Sequence, residues 1–122
     1  MTGNYSLRSL RGDGEHVWFG SAALFIIVTE CAVANFDRST VGSKLEECLE
    51  IGQMQVESQT FTSSEYLEFL TWLSRSMPAA VDRRLPPVAS GYTHEARAHA
   101  LASVQELAEL AANILLESDE AD

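Results

Sequence analysis

The chain has 122 residues, with eight Lys and Arg against eighteen Asp and Glu, a formal net charge of −10 at pH 7. Its length suits one domain, and 46% hydrophobic with 21% charged residues mark a globular rather than a disordered chain. The acidity excludes a nucleic-acid binder of the usual basic kind and disfavours an anionic membrane surface, because phosphate binding draws its affinity from Lys and Arg.

Tyr5 to Leu10 alternates imperfectly and reads as a strand. Arg11-Gly12-Asp13-Gly14-Glu15 carries an Asp-Gly step, a tight-turn signal. His16-Val17-Trp18-Phe19 is rich in β-formers and completes an N-terminal hairpin. Gly20-Ser21 then offers an N-cap, and a helix is expected over about 21–36. That run contains Ile26, Ile27, Val28 and Val33, yet it is longer than buried strands usually are. A helix apolar on most sides is buried on most sides, so this one is expected at the centre of the core.

Residues 37–43 read as a loop, and Lys44 to Ile51 as a short amphipathic helix ended by Gly52. Gln53 to Phe61 alternates and is expected to be a strand joining the hairpin in a small antiparallel sheet. Thr62-Ser63-Ser64-Glu65 matches the capping box and precedes Tyr66, Leu67, Phe69, Leu70, Trp72 and Leu73 at helical spacing. This predicts a helix over 63–77, stopped by Pro78, which disfavours helical geometry in the residue before it. Residues 78–92, with Pro86-Pro87 and Gly91, read as a mobile loop. Thr93 caps a last helix over about 93–117, whose apolar stripe runs from Ala96 through Leu107 to Leu115, and the acidic end, 118–122, is expected to fray. No repeat or linker divides the chain. The expectation is an α+β fold in one domain, 1–122, with three main helices on one face of the sheet.

The apolar run from Ala22 to Ala34, closing on Ala32-Val33-Ala34, raises the question of a signal peptide. Asp13 and Glu15 ahead of that run, and Glu30 within it, argue against one. The run is also shorter than the ~20 residues a bilayer span needs. A cytoplasmic location is expected, in keeping with only two cysteines, Cys31 and Cys48, and no CxxC motif.

Chemistry-bearing motifs are few. His94 and His99 approach the HExxH zinc helix, but a five-residue spacing turns the second about 140° from the first. No metal or cofactor is expected. There is no GxSxG elbow and no phosphate-binding glycine loop. Cys31 lies in an apolar run, and Cys48 stands among Glu46, Glu47 and Glu50, whose charge opposes a thiolate. Without a catalytic constellation, the chain is not expected to be an enzyme.

What the sequence does offer is localised acidity. Residues 1–42 carry a net −1, residues 43–77 a net −4 and residues 78–122 a net −5. Glu46, Glu47 and Glu50 fall in one group, and Glu106 and Glu109 stand three apart on the last helix. Tyr92, at the exit of the Pro/Gly segment, is a candidate contact residue. Size, charge and missing chemistry fit an interaction protein that binds a basic protein partner, in the manner of an immunity protein neutralising a toxin or enzyme. The alternatives are a secretion-type chaperone or adaptor, which would be a homodimer, and an anti-defence protein mimicking nucleic-acid charge.

Overall fold

The computed structural model describes residues 2–10, 14–89 and 91–120, with side chains to residue 117. The order is β1 (Thr2–Arg8), β2 (Glu15–Ser21), α1 (Ala22–Asn35), α2 (Thr40–Glu50), β3 (Gln55–Glu57), a 3-10 turn (Ser58–Thr60), α3 (Ser63–Arg75), α4 (Met77–Arg84) and α5 (His94–Glu120). The fold is α+β. The hairpin forms as expected, with Thr2 opposite Ser21 and Arg8 opposite Glu15. Its turn at residues 11–13 lies outside the described residues.

The sheet is mixed rather than antiparallel. Its strand order is β2-β1-β3, and β3 runs parallel to β1 with Val56 opposite Tyr5. A parallel neighbour needs a long crossover, and the chain supplies one through β2, α1 and α2. β3 spans three residues instead of the nine expected, because the chain turns into the 3-10 turn at Ser58. There Ser58 accepts from the Arg8 amide at 2.9 Å, continuing the link to β1 through a side chain.

Five α-helices, not three main ones, occur among the described residues. α2 starts at Thr40, because Ser39 is its cap and accepts from the Gly42 amide. The first half of the expected loop 78–92 is helix α4. Pro78 ends α3 but also sits in the first turn of α4, where a missing N–H costs nothing. α3 has the predicted capping box, with Thr62 accepting from Glu65 and Glu65 from Thr62. α5 is capped by Thr93 and continues to Glu120, past the expected frayed start at 118. Residues 121 and 122 lie outside the described residues.

The core lies between the sheet and the helices. Tyr5 and Leu7 of β1 and Trp18 of β2 point into it, alongside Phe25 and Val28 of α1 and Phe69, Leu70 and Leu73 of α3. Tyr5 lies at its centre, 5.2 Å from the Phe25 ring and 6.0 Å from the Phe69 ring. The Thr29 hydroxyl donates to the Phe25 carbonyl at 2.8 Å, so Tyr5 donates to Thr29. Gly3 and Gly20 stand opposite each other in the hairpin, and each is roofed by a ring. A Cβ on Gly3 would sit 2.4 Å from Phe25, and one on Gly20 2.5 Å from Trp18. Only a bare backbone lets α1 and the indole lie this close to the strands.

Candidate functional site

A cleft of about 640 Å³ opens where the end of β2, the start of α1, the α4–α5 connection and the first turns of α5 meet. Its walls are mostly apolar, from Phe19, Leu24, Ile27, Leu85, Pro86 and Ala100, with Thr2, Ser21, Tyr92, His99 and Ser103 as polar groups. Pockets that seat a ligand or a partner's anchor have this make-up, an apolar body with a few placed polar groups.

Each wall has a local cause. The Trp18 indole donates to the Ser103 carbonyl at 2.9 Å and pins β2 to α5. Ser21 caps α1 through the Leu24 amide, which fixes the angle between strand and helix. Ala89 and Tyr92 exchange backbone hydrogen bonds at 2.9 Å. Gly91 has φ +89°, a left-handed conformation that glycine adopts without strain. Arg97 donates to the carboxylate of Asp82 at 2.7 Å and to its carbonyl at 3.0 Å, tying α5 to α4. Tyr92 is thereby held half-buried at the cleft.

The six residues singled out in the sequence divide between two places. Tyr92 lines the cleft. On α5, Ala96, His99, Ala100 and Ser103 form the cleft wall. Glu106 follows His99 by seven residues, so it continues that stripe about 10 Å further along. Glu109 stands about 60° further round the helix. Glu95 flanks the same wall by the same reckoning. Glu46, Glu47 and Glu50 are elsewhere, on α2, which packs on α1, α3 and β3. α5 shares the α3 contact but otherwise packs on α4 and β2. The two acidic groups therefore do not form one face. All five glutamates are exposed, and none has an ion-pair partner among the described residues.

Three cleft residues were not legible as such. Phe19 reads as core, yet it is 64% exposed. The signal was the period of two in β2, since burying Trp18 turns Val17 and Phe19 to the other face. His99 reads as an ordinary surface histidine, and Ile27 as core. Neither carries a local mark of a cleft that four elements assemble.

Other chemistry-bearing groups are quiet. Burial, then the Glu47 charge, pushes the Cys48 thiol up; burial also raises that of Cys31. Both cysteines are unpaired. Among the described residues, no group of three or more His, Cys, Asp or Glu is placed to hold a metal ion. No helix there is long and apolar enough to cross a membrane. No protein-family model, curated protein or solved structure matches the chain.

Proposed function

We propose that this is a small acidic interaction protein, an immunity or inhibitor protein that binds a basic protein partner and covers its positively charged site. The observation that carries the reading is the apolar cleft with unpaired glutamates beside it. An apolar side chain of the partner would anchor in the cleft against Ile27, Leu85 and Tyr92. The carboxylates of Glu95, Glu106 and Glu109 would meet cationic groups around that anchor. Buried anchors supply most of the affinity of an interface, while rim charges steer encounter and reject wrong partners. The cleft lining holds His99 and several hydroxyls but no carboxylate and no thiol. On this reading the protein is not an enzyme.

The test is capture from extract of the native host with tagged protein, at low and at high salt. One basic protein, retained at low salt and lost as salt rises, is the expected result. Its own activity should fall when this protein is added. Capture of nothing at either salt overturns the reading and leaves the charge as a solubility device.

A second reading, the chaperone or adaptor, is favoured by the same cleft together with exposed Val17 and Phe19. It differs in its partner, an extended client segment rather than a folded active site. Proteolysis separates the two, since an extended client is cut when free and protected when bound. The charge-mimic reading has less support, since its carboxylates would form one regular row and here they are split between α2 and α5.

A further inference from the structure

We propose that two copies of this chain associate through β2, edge to edge and antiparallel, joining their two sheets into one. The two edges of the sheet differ. β3 is three residues long, with Gln55 and Glu57 exposed on it. β2 is seven residues long, and its outward side chains include Val17, 45% exposed, and Phe19, 64% exposed. Natural sheets blunt such an edge with charged side chains, proline, a bulge, brevity or a covering helix or loop, and here Glu15 and α5 supply only part of that. β2 has no lysine and no proline, and its register with β1 runs unbroken from Thr2–Ser21 to Arg8–Glu15.

The backbone of this edge is open as well. Ser9 donates to the Gly14 carbonyl at 2.7 Å, and Asn4 to the Met54 carbonyl at 3.0 Å. Odd residues of β1 therefore turn their amides to β2, and even ones to β3. In β2, His16, Trp18 and Gly20 bond back to β1, and Glu15, Val17 and Phe19 present their N–H and C=O groups at the free edge. Among the described residues these groups have no hydrogen-bond partner.

Three registers keep at least three residue pairs within β2, with the two-fold axis at Val17, Trp18 or Phe19. Centring on Val17 sets Glu15 against the apolar Phe19 of the other copy. Centring on Phe19 leaves Glu15 unpaired and sets Val17 against Ser21. Centring on Trp18 matches Val17 with Phe19 twice and Glu15 with Ser21. This register pairs a β-branched side chain with an aromatic one and opposes no like charges, the favourable cross-strand arrangement. Glu15 is the one carboxylate on the strand itself, while the carboxylates of α5 lie on a helix that packs on β2. The pair is still two acidic molecules, so added salt should tighten it. That is opposite in sign to the salt effect on a basic partner. Failure of the pairing and failure of the proposed function are therefore read separately.

The test is sedimentation equilibrium of the full chain over a wide concentration range at low and high salt. A mass twice the 13.4 kDa of the chain is expected at high concentration, favoured by salt. Val17→Lys with Phe19→Lys should give the single-chain mass. Its circular dichroism should be unchanged, because both side chains are exposed. Disulfide trapping fixes the register. Val17→Cys mixed with Phe19→Cys should cross-link, since paired residues lie about 5.5 Å apart, within disulfide reach. Either variant alone should cross-link no more than the wild type. A single-chain mass under every condition overturns the proposal. So does a lysine variant that still pairs, or cross-linking of Val17→Cys alone.

Discussion

Glu65 shows what one side chain does when local and tertiary partners converge on it. It closes the capping box on the Thr62 amide at 2.8 Å, receives Lys44 at 2.8 Å and accepts from the Thr40 hydroxyl. The bonds from Lys44 and Thr40, with the Thr62 amide, lower its carboxyl from the usual 4.5 to about 2. A group whose pKa is lower in the folded than in the unfolded state adds stability above the unfolded value and loses it on acidification. The contribution of Glu65 should be complete above pH 4.5 and fade between there and pH 2. Urea unfolding across that range should show a shallower loss in Glu65→Gln than in the wild type, with the variant less stable at pH 7. Thr62→Ala removes only the cap and should cost about 1 kcal/mol at pH 7. The capping box was legible because its partners are three residues apart. Lys44 and Thr40 were not, because they reach Glu65 from α2 across the fold.

Gly42, in the first turn of α2, lies against the end of α1, where a Cβ would meet the Phe36 carbonyl oxygen at 2.3 Å. Alanine is the better helix former by about 1 kcal/mol. The neighbour, however, is backbone that α1 holds in place, so the clash should win. Gly42→Ala is expected to destabilise by about 1–3 kcal/mol in chemical denaturation. A stabilised variant would mean that α1 and α2 can slide apart. At this scale the sequence marked elements that declare themselves locally. α1, α3 and α5 were legible from apolar period, caps and Pro78 as a stop. The hairpin was legible from its Asp-Gly step. α4 was not, because Pro78 both ends one helix and begins another, and Arg83 and Arg84 give it a polar, loop-like composition. The direction of β3 was hidden too. Alternation of side chains marks a strand but carries no sign of parallel or antiparallel pairing.

For the whole molecule, the question is which part of its acidity is put to use. Tyr92 could be marked in the sequence because it stands alone at the end of a Pro/Gly segment. The glutamates could be marked by their grouping. Their separation into an α5 set beside the cleft and an α2 set away from it is a product of packing, and no spacing records it. A standard interface covers about 800 Å² on each partner, and an anchor in the cleft directs that footprint over the start of α5 rather than α2. On the proposed function, Tyr92→Ala should weaken capture of the basic partner by about tenfold, the cost of one well-placed anchor contact. Reversing Glu106 and Glu109 to lysine should slow association and flatten its dependence on salt, because those charges steer the encounter. Reversing Glu46, Glu47 and Glu50 should change the association rate through overall charge but leave the dissociation rate as it was. Surface plasmon resonance of the variants against the captured partner measures both rates. If the α2 reversal alone speeds dissociation while Tyr92→Ala leaves it unaltered, the binding face is α2 and the cleft takes no part in capture.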